Sequence, residues 1–261
     1  MNIKIRSKLN ELITHWIPGA VYSVKWLIEN GYSYSNLQIY KKSGWVKSFG
    51  AGALIKNGDD VRWYGAVWNL QEQLKIPVHV GGKTAIEQAG SAQFLTLGKE
   101  RIFLISEPKT KLPTWFKSKK WNADLIFLQS SLFDKKFRSF SISEQCLILV
   151  KFERLDLIYS NRERAMLEYL DLVPERHSFT EAQEIMENLV TLRPKLVQKL
   201  LEHCTSVKAK RLFLALAERV KHPWLKKLEL SKIDLGTGSR QLIIGGEFDS
   251  KYKITVGKSN E

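Results

Sequence analysis

Cysteine is nearly absent from this chain: Cys146 and Cys204 are the only two in 261 residues. Two thiols make no disulfide framework, and no Cys-x-x-Cys pair is present to hold zinc. Both read as small buried side chains in a reducing cytoplasm. Long apolar runs are missing too, since none approaches the roughly 20 residues that a membrane span needs. The start, Met1 to Lys8, carries charge without the apolar core of a signal peptide. The expectation is a cytoplasmic protein with no membrane partner. Catalytic signatures are equally scarce. The five histidines (His15, His79, His177, His203, His222) show neither metal-ligand spacing nor a His-Glu-x-x-His pair. No Gly-x-Ser-x-Gly elbow exists, and neither cysteine sits in a nucleophile motif. A binding protein is therefore expected, with no enzyme activity, no metal and no cofactor.

Negative charge is also in short supply. Forty-one Lys and Arg against 27 Asp and Glu give a net charge of +14, which draws a protein of this size to polyanions. The 44% hydrophobic content is ample for real cores and excludes a disordered chain. The length suits one large or two ordinary domains.

Helical patterns over Asn2–Thr14, Ser23–Asn30 and Ser33–Ser43 run into an alternating stretch, Gly44 to Lys56, folded about Gly50-Ala51-Gly52. Ile5, Leu9, Leu12, Ile13 and Trp16 share one face of the first helix, and Pro18-Gly19 ends it. Ser23 can cap the second helix, and Gly31 supplies the turn before the third. Three helices followed by a β-hairpin describe a winged helix-turn-helix, whose third helix enters a DNA major groove. On that helix Leu37 and Tyr40 point inward, with the stem of Lys41 beside them. Ser35, Gln38 and Lys42 point outward, flanked by Tyr34 and Ile39. Gln can bond adenine edges, Ser is adaptable, and Ile can meet a thymine methyl. Lys42 and Lys47 suit phosphates. Residues 1–57 hold eight basic and two acidic residues, net +6.

From Val61 to Leu74 a further helix is expected. Gly82-Lys83-Thr84 after it resembles a phosphate loop, but Pro77 stands where that loop needs a glycine. Thr84 is expected to cap a short helix ending at Gly90. Residues 1–90 then form a winged-helix domain with a helical extension, and 91–261 an α+β domain ending in a helical region. In the second part four β-rich runs (101–105, 125–128, 147–150, 155–159) precede four helices, with weak strands over 241–244 and 252–256. Ser160 is expected to start the first of these helices, Ser178 to open a capping box, and Pro194 to lie early in the third. Glu163 and Glu168 read as ordinary surface partners of Arg162 and Arg164. Residues 193–232 carry eleven basic and three acidic residues, a second basic surface of net +8. Arg193, Lys195, Lys199, Lys208, Lys210 and Arg211 are its candidate partner-binding residues.

Gly44-Trp45-Val46, Pro77 to Ala85, Lys111 to Phe116, Arg162 to Glu168, Thr191 to Val197 and Ser231 to Gly236 resemble blocks of the AbiEi-type antitoxins, in the same order. The resemblance covers nearly the whole chain. It implies the antitoxin half of a bacterial abortive-infection toxin–antitoxin pair. Its N-terminal winged helix would bind operator DNA and repress its own operon. Its C-terminal domain would counter a nucleotidyltransferase-like toxin, directly or through that toxin's target. Relatives often carry a basic residue at the wing tip, where this chain has Gly50-Ala51-Gly52. A winged-helix regulator with a ligand-sensing C-terminal domain, or an RNA-binding or RNA-processing protein, fits the same composition.

Overall fold

The structure, a computed structural model, describes residues 3–90, 99–242 and 245–257, with side chains from Arg6 onward. Ile5 and the end of the expected strand over 241–244 lie outside the described side chains and residues.

The N-terminal head follows the expected order. Helix α1 (Ile3–His15) buries Leu9, Leu12 and, just past its end, Trp16. The short strand β1 (Tyr22–Ser23) leads into α2 (Val24–Glu29), and Gly31 at φ 87° turns the chain into α3 (Tyr34–Lys42). Ser23 and Ser33 cap these two helices by accepting the N–H of Trp26 and of Asn36. Strands β2 (Val46–Gly50) and β3 (Ala53–Lys56) form the wing. All pairing is antiparallel in the order β1-β3-β2, with Tyr22 opposite Leu54 and Val46 opposite Lys56. This is a winged helix.

A shared spine joins head and body. Helix α4 (Trp63–Trp68) runs into a π-helical turn over Asn69–Gln73, and every residue from Trp63 to Gln71 is buried. One side faces the head. A Cβ placed on Gly65 would lie 1.9 Å from the Gly19 carbonyl oxygen, so only glycine allows this approach. Asn69 Nδ2 donates to the Val21 carbonyl, and Gln73 Oε1 accepts the Ser23 N–H. The other side faces the body. There Trp63 and Tyr64 pack on Phe152, and the Gln71 amide bonds the backbone of Val78 and Ile158. Widened π turns are rare and cluster at functional places. Here the turn presents Asn69 and Gln73 to one half and Gln71 to the other.

The body is built on a mixed sheet of five strands in the order β6-β5-β4-β8-β7. Its strands are β4 (Val78–Val80), β5 (Arg101–Ser106), β6 (Asp124–Gln129), β7 (Leu147–Phe152) and β8 (Leu155–Ser160). Strand β5 runs parallel to β6 and β4 parallel to β8, while β4–β5 and β7–β8 are antiparallel. Such mixed pairing with segregated helices is an α+β fold. The central strand β4 precedes residue 90. A division there therefore separates β4 and α5 (Gly82–Gln88) from the sheet they belong to. Helices α6 (Thr114–Ser118) and α7 (Lys135–Arg138) lie in its connections. Helix α8 (Arg162–Leu170), buried along almost its whole length, packs on α5. Its cap is Asn161 rather than Ser160, because the Asn161 side chain accepts the Arg164 N–H. Thr84 does not cap α5: its hydroxyl accepts the Phe103 N–H and donates to the Arg101 carbonyl, tying the helix to β5.

Helices α9 (Phe179–Asn188), α10 (Pro194–His203) and α11 (Val207–Arg219) follow, with Ser178 capping α9 and Pro194 opening α10 as expected. Two 3-10 turns (Pro223–Lys227, Leu230–Lys232) lead to a small closing sheet. It comprises β9 (Arg240–Gln241), β10 (Glu247–Asp249) and β11 (Ile254–Val256), ordered β10-β11-β9. No helix among the described residues is long and apolar enough to cross a membrane.

Candidate nucleic-acid interface and buried polar centre

Helix α3 sorts its residues as its 3.6-residue period requires. Leu37 and Tyr40 are buried, whereas Tyr34, Ser35 and Lys42 are exposed and Gln38 is partly so. Ile39 differs from expectation, since it packs against the head's core and is only half exposed. The Ser35 hydroxyl lies 2.9 Å from that of the cap Ser33, which orients it at the helix start. Lys47 is exposed on β2. Trp45 is 48% exposed beside it, an aromatic face that the hydrophobic pattern alone hides.

The wing is not free-standing. Phe49 packs edge-on against Trp115 of α6 and tilts against Trp121, and Lys119 Nζ lies 4.4 Å above the Phe49 ring. A Cβ on Gly50 would come within 2.4 Å of the Trp115 Cβ. The Gly50 end of the wing's turn is thus docked on the body, while Ala51 and Gly52 stay exposed. Lys117, Lys119 and Lys120 are exposed on the adjoining segment, continuing the positive edge beyond the wing.

The second basic surface is largely taken up by internal bonds. Arg211 is 1% exposed and donates to the carbonyls of Leu235, Gly236, Gly238 and Lys253, holding the closing segment to α11. Lys210 is also buried. These two are not surface residues; the helix buries them because both flanks of α11 are covered. Lys208 is anchored on the Val173 carbonyl and the Glu175 carboxylate, and Lys199 lies over the Phe140 ring, 4.0 Å from Glu144. Arg193 keeps an exposed side chain but grips Glu163 with two guanidinium nitrogens. Lys195 is exposed.

Glu163 and Glu168 are not surface partners either, for each is 3% exposed. Glu168 sits at the centre of a buried cluster between α8, β4 and α5. One carboxylate oxygen accepts from His79 Nε2 at 2.8 Å and Arg164 Nε at 2.7 Å. The other accepts from the Gly82 N–H at 3.0 Å and the Ser160 hydroxyl at 2.7 Å. Burial alone would raise its pKa, but His79 and Arg164 outweigh that and hold it down at about 2. Burial instead lowers the pKa of His79, against the opposing pull of the Glu168 carboxylate. Arg164 also bonds the Gln145 carbonyl and lies over Phe133. In sequence, only Glu168 four residues after Arg164 on a helix hints at this cluster. His79 and Gly82 are distant in the chain.

The same geometry bears on Gly82-Lys83-Thr84. Its first amide is bonded to Glu168, Lys83 Nζ meets Glu181 at 2.5 Å, and Thr84 is turned to β5. Those groups serve internal packing rather than a phosphate. Both cysteines are buried, and burial pushes the Cys204 thiol up to about 12 and raises that of Cys146. Thiols so held stay protonated. Among the described residues no three His, Cys, Asp or Glu side chains converge as a metal set.

A family model described as "Transcriptional regulator, AbiEi antitoxin, Type IV TA system" matches residues 99–257. A second, described as the N-terminal domain of the AbiEi antitoxin transcriptional regulator, matches residues 5–97. No curated protein matches the chain. Among solved structures, the crystal structure of the RV2827C protein from Mycobacterium tuberculosis is similar over 97% of this chain and 92% of its own. The TM-score is 0.56 and the identity 12%, so the likeness is one of fold alone.

Proposed function

Because the chain belongs to the AbiEi antitoxin family of type IV toxin–antitoxin transcriptional regulators, we propose that its head binds operator DNA of its own operon and its body counters a nucleotidyltransferase-like toxin, without enzyme activity, in the cytoplasm. The observation that carries the DNA half is the outward face of α3. Tyr34, Ser35, Gln38 and Lys42 lie opposite the buried Leu37 and Tyr40, on a helix held between α2 and the wing. Gln38 and Ser35 are the base readers, with the half-buried Ile39 beside them. Lys42, Lys47 and the stripe Lys117, Lys119, Lys120 are the phosphate contacts.

Band-shift titrations of the upstream promoter at several salt concentrations test this. Gln38→Ala should cost about 1–3 kcal/mol on the operator and relax specificity there. Lys42→Ala or Lys119→Ala should weaken binding to every sequence and flatten the salt slope by about one counterion each. Binding unchanged in a combined Gln38→Ala, Lys42→Ala variant would remove α3 from the interface.

For the antitoxin half, the candidates in residues 193–232 reduce to basic groups left on the surface. Lys195 on α10 and Lys226 and Lys227 on the 3-10 turn packed against α10 are exposed. Their removal opens no cavity. Arg193 is exposed as well but is kept out of the test, since it holds Glu163. Co-expression with the neighbouring toxin gene, scored as colony survival, should show lost rescue when all three lysines become Glu, with thermal unfolding unchanged. Full rescue by that folded variant would make this surface inert and move the search to the exposed parts of β7, where Ile148 and Leu149 face solvent.

A further inference from the structure

Beside the Glu168 cluster, at one end of the five-stranded sheet, lies a cleft of about 250 Å³. Its walls are mostly apolar: Ile76, Ile105, Leu132, Phe133, Leu147 and Ile158. Small-molecule sites have this character, apolar walls with a few polar groups that fix orientation. The polar groups here differ in whether they are already used. Glu168 accepts from four donors, and Arg164 is committed to Glu168 and the Gln145 carbonyl. Gln71 is bound to backbone on both of its amide atoms.

Arg138 is the exception. Its side chain lines the cleft, its Nε is buried without a hydrogen-bond partner, and it has no ion pair among the described residues. Arg138 as a whole is partly exposed toward the cleft, but folded proteins rarely leave a buried donor atom unsatisfied, and such an atom is a prompt to look for an ion or ligand. Helix α7 holds the residue in place: Asp134 caps it through the Phe137 N–H, and Phe137 anchors it in the core. The Arg138 carbonyl accepts from Gln145, so its backbone is fixed too. At the rim Lys75 is paired with Glu72 at 3.0 Å, so it adds no free charge, while Arg138 and Glu107 have no ion pair among the described residues.

We propose that this cleft binds a small organic anion with an apolar body, its carboxylate or phosphate seated on the Arg138 guanidinium. A planar fork of N–H donors matches either group in a bidentate way. The volume fits a ligand of about one substituted ring, not a nucleotide. Gln71 on the wall belongs to the π-helical turn whose Asn69 and Gln73 hold the head, so the ligand sits against the element that carries α2.

Calorimetric titration of the full-length protein with benzoate and phenyl phosphate tests the site, with phenol and inorganic phosphate as half-molecules. At least one aromatic anion should bind saturably, one per chain, about tenfold or more tighter than phenol or inorganic phosphate. Arg138→Gln, which keeps the backbone bond to Gln145, should weaken the anion by about tenfold or more. Ile142→Trp, a substitution at the 46% exposed rim, should block entry without touching the core. Should neither anion bind, or should both bind the two variants as they bind the parent, the proposal is overturned. Equal affinity for inorganic phosphate and phenyl phosphate would overturn it as well, since charge alone would then account for the heat.

Discussion

Glu168→Ala should lower the unfolding free energy by about 3–5 kcal/mol, the usual cost of removing one partner from a buried, hydrogen-bonded charge pair. The substitution leaves the Arg164 cation buried at 6% exposure, with only the Gln145 carbonyl and aromatic faces around it. It also strands the Ser160 hydroxyl and the Gly82 amide, each of which loses its acceptor. Urea unfolding at neutral pH measures the loss as a lower midpoint at similar slope. The pH dependence adds a second reading. A carboxylate held at about 2 in the fold and near 4.5 when unfolded stabilises the protein fully above the unfolded value. That contribution is lost as pH falls from about 4.5 through about 2. The parent should therefore weaken in acid over this window more than Glu168→Ala does. An alanine variant within about 1 kcal/mol of the parent, with the same acid profile, would contradict the reading of this cluster as a structural centre.

A chain that begins at Ser91 should fail to unfold cooperatively. The cut removes β4, which lies between β5 and β8, and so splits the five-stranded sheet into the pairs β6-β5 and β8-β7. It removes α5, which packs on α8, and with β4 and α5 go two of the three groups around Glu168 that lie outside α8: His79 and Gly82 are lost, and only Ser160 is left. Two-stranded fragments are marginal in water without further strands or helices. Circular dichroism on heating should show a broad, featureless change in place of a sigmoid transition. A cooperative transition with a native-like midpoint would mean that the second half folds without its central strand. Antitoxicity is therefore better mapped by surface substitutions in the full chain than by truncation at the apparent boundary.

The contrast between what sequence revealed and what it concealed follows from the range of each interaction. The head was legible because its signals are local. Ser23 stands one residue before its helix, Gly31 takes the positive φ of the turn, and Leu37 and Tyr40 repeat at helical spacing, though Ser33, expected as the first helical residue, is the cap. The four longer body strands showed themselves as β-rich runs. Strand β4 did not, because three residues between Pro77 and Gly81 are too short for any periodicity. The fate of the charged residues was harder still to read. Lys210 and Arg211 look like a solvated basic patch, yet both are buried, and the carbonyls that hold Arg211 arrive from Leu235 to Lys253. Glu163 and Glu168 carry the same local pattern as an exposed ion-paired helix. Their burial depends on Arg193, His79 and Gly82, which no window along the chain brings together.

The docking of Phe49 and Gly50 on Trp115 has a consequence for operator architecture. A wing tied to the body gives the head one fixed bearing, where a tethered head could swing to suit many sites. Were two copies of the chain to bind one DNA through the proposed α3 face, the surface joining them would set the distance and angle between the two helices. Half-site separation on duplex DNA advances in helical turns of about 10.5 base pairs. Operators with one fixed spacer should be bound by such a pair, and insertion of half a turn between half-sites should abolish paired binding while a full turn is read as a different site. Phe49→Ala, by loosening the bearing, should broaden the spacings that are accepted.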